Sequence, residues 1–286
     1  MIKKMTKVFF VASLLVLAIS ILLATNWYIK YQVSTEKLTN QIDQHLSAQS
    51  DATAAFVNGW IEMHLKASRQ NASTADMVSM DPAKQKPILE SIAKEYKWLY
   101  LVFTIAPDGK NIARSDAESL KDYKDRLYFQ QVMNGEPFGS QVIISKTTVQ
   151  PALGLAVPIL KADKIVGVFC LAAHITDLSE NITNVKIGRT GFAFLLDNNG
   201  KVIAHQKKAY TEVMADFSKH PAYKEIGRLI KKKIIFFDDS RDKKVISYVQ
   251  KTSQGWIVVV QQDLDEAYTP VTEASRNAFE RLMSWR

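Results

Sequence analysis

Asp122-Tyr123-Lys124-Asp125-Arg126-Leu127-Tyr128-Phe129 opens the stretch that decides the fold, which continues to Leu178. A Gly135-Glu136-Pro137 break follows, then an apolar run from Val142 to Ser145. After Thr147, Thr148 and Pro151 comes a second run, Ala152 to Leu160, and then a third, Ile165 to Ala173, which ends at His174. The pattern predicts one short helix that delivers Arg126 and the aromatics Tyr128 and Phe129, with three strands packed beside it. Such a unit makes a pocket with a fixed cation at its mouth. Asp177 then reads as the cap of a further short helix.

Upstream, Met1 to Lys7 carries Lys3, Lys4 and Lys7, and no charged residue occurs from Val8 to Ile29. That apolar run is long enough to cross a hydrocarbon core as a helix, and it ends in Trp27-Tyr28, which suit the headgroup zone. A cleaved signal peptide has a shorter apolar core and a small-residue cleavage site, so an uncleaved anchor is favoured. The lysines before the span orient the N-terminus to the cytoplasm and everything after it to the outside. Residues 30 to 75 read as a long, largely polar helix in which Leu38, Ile42, Leu46, Ala54, Phe56, Val57, Trp60, Ile61 and Leu65 recur at helical spacing. Its apolar face needs a partner, either a sister subunit or the body of the domain.

The net charge of +8 is only moderately basic. Without a dense basic stripe interleaved with aromatics it reads as a solvated surface, which argues against nucleic acid as a partner. Lys231-Lys232-Lys233 is the tight basic run. It is either a charged loop leading into the strand Ile234 to Phe237 or a contact with anionic headgroups. The single cysteine, Cys170, excludes an internal disulfide and any cysteine-rich zinc site. No glycine-rich phosphate loop, GxSxG elbow or HExxH motif is present, and His45, His64, His174, His205 and His220 have no metal spacing. The expectation is therefore no catalytic residues, no metal, no cofactor and no enzyme.

The order of elements repeats. Trp98 to Ile105 is strand-like, Pro107-Asp108-Gly109 a turn, and Asn111 to Arg114 the return strand, ahead of the helix and three strands already described. A second cycle runs through Phe192 to Leu196, the Asp197-Asn198-Asn199-Gly200 turn, Lys201 to His205, a crossover, and strands Ile234 to Phe237, Lys244 to Gln250 and Trp256 to Gln262. Asp263 with Glu266 reads as a capping box that opens a last helix, 264–286, bent at Pro270.

A membrane anchor, a long helix, two tandem antiparallel modules and a return helix resemble the extracytoplasmic double Cache (dCache) region of bacterial methyl-accepting chemotaxis proteins. The resemblance covers nearly the whole chain. It rests on Asp125-Arg126-Leu127-Tyr128-Phe129, Ala156-Val157-Pro158-Ile159, Ile165-Val166-Gly167-Val168 and Thr176-Asp177-Leu178 in the first module, and on Gly188-Arg189-Thr190-Gly191-Phe192-Ala193-Phe194 in the second. It implies an α+β fold: a transmembrane helix, a long N-terminal helix, two tandem PAS-like antiparallel-sheet modules and a C-terminal return helix. The expected division is a cytoplasmic tail and span at 1–29, a stalk at 30–75, a membrane-distal ligand-binding module at 76–186, a membrane-proximal module at 187–263 and a return helix at 264–286. That helix would lead to a second span missing from a truncated chain. The implied setting is the bacterial inner membrane, with residues 30–286 periplasmic and the receptor a homodimer that signals by helix displacement.

The resemblance also directs attention to particular residues. Amino-acid-sensing members carry an arginine, a tryptophan and a tyrosine, then a tyrosine and an aspartate, then a final aspartate that holds the ligand's ammonium group. Arg126 matches the arginine, Tyr128 and Phe129 stand at the aromatic pair, Ile143 and Ser145 replace the next pair, and Ala172 occupies the place of the final aspartate. Without that carboxylate a buried ammonium has no counter-charge, so the expected ligand is a small anionic metabolite, an organic acid. Arg126 would grip its carboxylate through two parallel hydrogen bonds, Tyr128, Ser145 and Thr147 would donate further bonds, and Tyr123 would close the rim. His174 is either a second anion partner or a polar strand end, and Arg126 has a competing reading as the salt-bridge partner of Asp122 or Asp125. The alternatives are the input region of a sensor histidine kinase or diguanylate cyclase, an amino-acid or amine sensor despite the missing acid, and, from another class, an anchored external enzyme.

Overall fold

The computed structural model describes residues 2–148 and 150–283, so the expected helix end at Ser284, Trp285 and Arg286 lies outside the described residues. Helix α1 (Ile2–Ala72) is unbroken and covers both the apolar run and the polar helix predicted after it. Near its start Val16, Leu17, Ile21 and Leu22 all point outward with more than half their surface exposed. This part is long and apolar enough to cross a membrane. Farther along, Leu46, Ala54, Val57, Ile61 and Leu65 recur three, four or eight residues apart and are fully buried. That spacing makes one continuous face, and both sheets pack on it.

Helices α2 (Ala75–Val78) and α3 (Pro82–Glu95) turn the chain back. The Asp81 carboxylate accepts the Ala83 N–H at 2.9 Å, and Pro82 takes the first helical position, as the Asp-Pro pair predicts. Strands β1 (Leu99–Ile105) and β2 (Asn111–Arg114), helix α4 (Leu127–Met133), and strands β3 (Gly139–Ile144), β4 (Pro151–Lys161) and β5 (Lys164–His174) form the first module. Its five-stranded antiparallel sheet has the order β2-β1-β5-β4-β3. Helix α5 (Ile175–Thr183) leads to β6 (Phe192–Leu196), β7 (Val202–Ala204), α6 (Lys208–Glu212), α7 (Pro221–Ile226), β8 (Lys231–Asp238), β9 (Lys243–Lys251) and β10 (Ile257–Asp263). The second sheet has the order β7-β6-β10-β9-β8, the first order with every strand advanced by five. The chain therefore carries one small antiparallel fold twice.

The second sheet meets α1 through Asp43, Ser50, Asp51 and Asn58. The first meets it later, where Trp98 donates to His64. At about 1.5 Å of rise per residue, the first module lies on the order of 50 Å beyond the apolar run. The return segment is two helices, α8 (Leu264–Ala267) and α9 (Thr269–Met283), broken at Tyr268 just before Pro270. Tyr31 and Ser275 hydroxyls meet at 2.8 Å, and α9 runs antiparallel against α1 toward the apolar segment.

Three local expectations are corrected. Lys231-Lys232-Lys233 is the start of β8 and not a loop, and its lysines are paired within the chain: Lys231 with Asp51 at 2.7 Å, Lys233 with Asp43 at 2.6 Å and Lys232 with Glu225 at 2.7 Å. The lysines alternate across the edge strand, so two of them reach acids on α1. Asp263 and Glu266 form no capping box. Asp263 is drawn instead to Arg241 and Lys243, at 3.0 and 3.1 Å. Glu266 accepts from the Arg189 and Thr190 backbone N–H groups and from the Thr190 hydroxyl. Helix α5 begins at Ile175 with His174 in the cap position, which puts Asp177 inside the first turn.

Candidate functional site

The front face of the first sheet and the start of α4 enclose a pocket of about 10 Å³. Along β5 the even positions Val168, Cys170 and Ala172 face α4, while Phe169, Leu171 and Ala173 face α1. Ala172 and Gly154, partners across β5 and β4, form the floor of the pocket. Tyr128 lies across Gly154: a Cβ there would sit 2.8 Å from the tyrosine ring, so only glycine lets the ring rest on the strand. β1 contributes Tyr100, Leu101 and Phe103. Consecutive strand residues normally point to opposite faces, but a register shift between Leu99 and Leu101 turns both Tyr100 and Leu101 forward.

The rim is a turn after β3. The Ser145 hydroxyl accepts the Thr147 and Thr148 N–H groups at 3.0 and 3.1 Å, and this turn brings Ser145, Lys146 and Thr147 to the opening together. Ile143 lines the wall from β3. Arg114, its side chain 1% exposed, forks onto Asp116 at 2.6 and 2.7 Å. It also donates to the Tyr123 hydroxyl at 3.3 Å and to Thr147 at 3.2 Å. This buried ion pair holds two rim residues in place and leaves no charge over, since each partner neutralises the other.

The charge that is left over belongs to the rim. Lys146 Nζ is 2.6 Å from Asp125, and this bond holds the aspartate below its ordinary range. Arg126 lies within 4.0 Å of no carboxylate among the described residues. Among the described residues its guanidinium makes one hydrogen bond, a long contact of 3.4 Å to the Ile144 carbonyl, and its Nε is shut off from water with no partner there. Among the described lining residues there is no Asp or Glu. Burial raises the hydroxyl pKa values of Tyr100, Tyr123 and Tyr128, so all three remain neutral donors. The arrangement offers a cation with an open donor, a second cation beside it, and hydroxyls around an apolar floor.

Arg126, Tyr128, Tyr123, Ile143, Ser145, Thr147 and Ala172, singled out from the sequence, all line this one cavity. Phe129 does not: neighbouring helical positions point about 100° apart, and with Tyr128 turned to Gly154, Phe129 packs into the core beneath α4. His174 does not line it either. Its ring lies tilted against Tyr100, centroids 4.9 Å apart, and its backbone N–H donates to the Trp98 carbonyl. Arg126 itself precedes α4 in extended conformation instead of riding on the helix. The sequence reading missed Tyr100, Leu101, Phe103, Lys146 and Gly154 among the lining residues, and Arg114 behind them. Lys146 had a signal, since it stands between two chosen residues. Among the described residues no group of three or more His, Cys, Asp or Glu side chains could hold a metal ion.

The Cache-domain family profile, in its dCache form, matches residues 34–271. Over 210 residues the chain is 25% identical to the methyl-accepting chemotaxis protein McpG of Pseudomonas putida, covering 71% of this chain and 31% of that relative. The chain thus spans about a third of McpG's length. The ligand-binding domain of the Pseudomonas fluorescens chemoreceptor CtaA, in complex with L-isoleucine, superposes with a TM-score of 0.67 at 19% identity over 82% of this chain and 98% of its own. The extracellular domain of a protein described as a histidine kinase, mmHK1S-Z2, superposes with a TM-score of 0.63 at 14% identity over 79% and 98%.

Proposed function

The chain belongs to the dCache family of Cache domains, and from that premise we propose that residues 30–286 are the periplasmic ligand-sensing region of a transmembrane chemoreceptor that binds a small organic acid in its first module. In this reading 1–29 anchor the chain in the bacterial inner membrane, 30–75 form a stalk, 76–186 the membrane-distal ligand-binding module, 187–263 a proximal spacer and 264–286 the segment that returns toward the membrane.

The observation that carries the ligand class is the Arg126 guanidinium, without a carboxylate partner and with its Nε unbonded, beside Lys146 in a lining free of acids among the described residues. Leaving a buried donor unmade costs about 1–3 kcal/mol, more for a charged group. A ligand carboxylate recovers that cost, whereas an ammonium group would enter a site already carrying net positive charge. Tyr128 and the tyrosines around it supply hydroxyl donors in support of Arg126, and Ser145 and Thr147 complete the rim.

A pocket of about 10 Å³ has room for one water. A larger guest therefore requires the rim to open, and binding is coupled to movement of α4 or of the Ser145–Thr148 turn. Ligand shifts such an equilibrium by binding one state better than the other. Helices α1 and α9, joined near the apolar segment by Tyr31 and Ser275, are the route by which the shift would reach the membrane, in a homodimer.

The similarity to McpG favours a chemoreceptor, and that to mmHK1S-Z2 keeps a histidine-kinase output as the alternative. The CtaA complex with L-isoleucine favours a second reading in which the ligand is an α-amino acid. Calorimetric titration of the full chain with a panel of dicarboxylates, monocarboxylates and amino acids tests both. The expected result is carboxylate binding that falls at least tenfold in Arg126→Ala. Tight amino-acid binding, or carboxylate binding indifferent to Arg126, overturns the proposal.

A further inference from the structure

A second cavity, of about 110 Å³, lies on the opposite side of the same strands, between α1, α3 and the back of the first sheet. Ala67 of α1, Ile92 of α3, Leu99 of β1, and Phe169 and Leu171 of β5 make its walls. Met63 and Tyr96, 57% and 37% exposed, stand at its mouth. The polar side chains around it are turned to their own chain. His64 Nδ1 lies 2.6 Å from the Trp60 carbonyl and its Nε2 accepts from the Trp98 indole at 2.8 Å. Ser68 donates to the His64 carbonyl at 2.8 Å, and Asn71 Nδ2 to the Ala67 carbonyl at 2.9 Å. The walls are thus apolar carbon, a thioether and the rings of Tyr96, Trp98 and Phe169.

We propose that this cavity is a second binding site, separate from the Arg126 pocket, for a neutral single-ring aromatic molecule of about benzene size. Apolar cavities on the order of 100 Å³ stay dry and take up benzene or xenon, while a guest with strong polar groups would lose hydration without recovering it. Rings at the wall and a sulfur at the mouth favour an aromatic over an aliphatic guest, since edge-to-face and sulfur–ring contacts add to the burial of apolar surface that both guests share. The guest would touch α1 directly. It would also press on Leu171, whose chain neighbour Ala172 forms the floor of the Arg126 pocket on the other face. The site is therefore placed to act on the helix that runs to the apolar segment without using the anion pocket.

The test is a benzene titration of the full chain in lipid nanodiscs, labelled at tryptophan nitrogen and read at the indole signals. Trp98 and Trp60, whose ring lies 3.9 Å from that of His64, should shift saturably, while Trp256, buried in the second module, stays in place. Ala67→Leu and Ile92→Phe, which fill the cavity from opposite walls, should each abolish the saturable shift, and either alone suffices if the other fails to fold. Arg126→Ala should leave it intact, which separates this site from the anion pocket. Cyclohexane should bind about tenfold more weakly. The proposal is overturned if Trp98 shows no saturable response up to the solubility of benzene, if the response survives both fillers, if it is lost in Arg126→Ala, or if cyclohexane binds as well as benzene.

Discussion

Lys146 Nζ sits 2.6 Å from the carboxylate of Asp125, and that bond draws the acid away from Arg126, its neighbour in the chain. The lysine thereby keeps the guanidinium unpaired at the pocket. Removing the lysine while keeping the acid should turn Asp125 back on Arg126. Lys146→Met is expected to weaken carboxylate binding about tenfold, whereas Asp125→Asn should strengthen it two- to fivefold. The second effect is the smaller because the Asp125 side chain is 63% exposed, and water screens exposed pairs to below about 1 kcal/mol. Titration of Asp125→Asn in the native and in the Lys146→Met background distinguishes this arrangement from simple loss of positive charge: the gain should be larger once the lysine is gone, whereas equal gains in both backgrounds would mean that Asp125 does not turn to Arg126.

Ala172 tests the ligand class from the other side of the pocket. It is 5% exposed and lies on the floor. Ala172→Asp puts a carboxylate where an ammonium group could use it and where Arg126 could pair with it. Carboxylate affinity should fall by a factor of ten to a hundred, the order expected for losing one charge-assisted contact of about 1.5–3 kcal/mol. Affinity for neutral α-amino acids should rise. Unchanged selectivity in this variant would mean that the floor does not face the bound ligand.

Much of the fold was legible because the two cycles carry their own punctuation. Pro107-Asp108-Gly109 and Asp197 through Gly200 are turns that cannot continue a strand, and they fixed both hairpins within a residue or two of β1–β2 and β6–β7. The Arg126 side of the pocket was legible for the same reason: a short helix followed by three apolar runs leaves little choice of topology. The misses share one physical origin, which is departure from period two. Tyr100 faces forward only because of the irregularity beside Leu101, and Lys146 only because the Ser145 hydroxyl winds the chain into a turn. Neither a bulge nor a side-chain-capped turn alters the hydrophobic pattern that sequence reading uses. Arg114 escaped for another reason: its partners Asp116, Tyr123 and Thr147 come from separate loops, and nothing in their spacing announces the network.

The second module should respond to acid. The ring of His205 is buried among Phe192, Phe194, Tyr210 and Phe217, and its Nδ1 accepts the Lys207 N–H at 2.9 Å. Burial, reinforced by Lys207, lowers its pKa from 6.5 to about 4. A histidine depressed in the folded state binds its proton more readily when unfolded. Stability is therefore complete above pH 6.5 and falls as the pH drops toward 4. The loss over that window should be on the order of 2–3 kcal/mol. Denaturant midpoints measured from pH 7 to pH 4.5 should slope downward, and His205→Gln should flatten the slope. An equal slope in the variant would assign the acid sensitivity to other groups.

Glu266 ties the return segment to the loop before β6. Its carboxylate takes the Arg189 N–H at 2.6 Å, the Thr190 N–H at 2.8 Å and the Thr190 hydroxyl at 2.5 Å. Burial opposes its charge, but these bonds outweigh it and hold the carboxyl below its usual range. Glu266→Ala should cost about 1–3 kcal/mol, since two backbone donors lose a charged acceptor. The more specific outcome is local. The Thr190 amide should exchange at least tenfold faster, and α8 with α9 should become sensitive to protease while the first module keeps its protection. Uniform loss of protection across both modules would show that the clasp is part of the general core and not a joint.

Gly59 gives a test of the homodimer. It lies well inside α1, where glycine costs about 1 kcal/mol relative to alanine, and a Cβ at that position would meet nothing within 4 Å in its own chain. No packing among the described residues of the protomer explains it. Ala52, Ala55 and Phe56 are exposed on the same side of the helix, and a small residue there allows a second helix to approach closely. Gly59→Ala should stabilise an isolated protomer slightly, because it improves the helix and disturbs no neighbour. Gly59→Leu should leave the protomer folded but push the partner helix away. Sedimentation equilibrium of the full chain in detergent is expected to show a dimer for the native sequence and a dimer constant at least tenfold weaker for Gly59→Leu, with unchanged circular dichroism. A dimer that tolerates the leucine would have to be built on another face of α1.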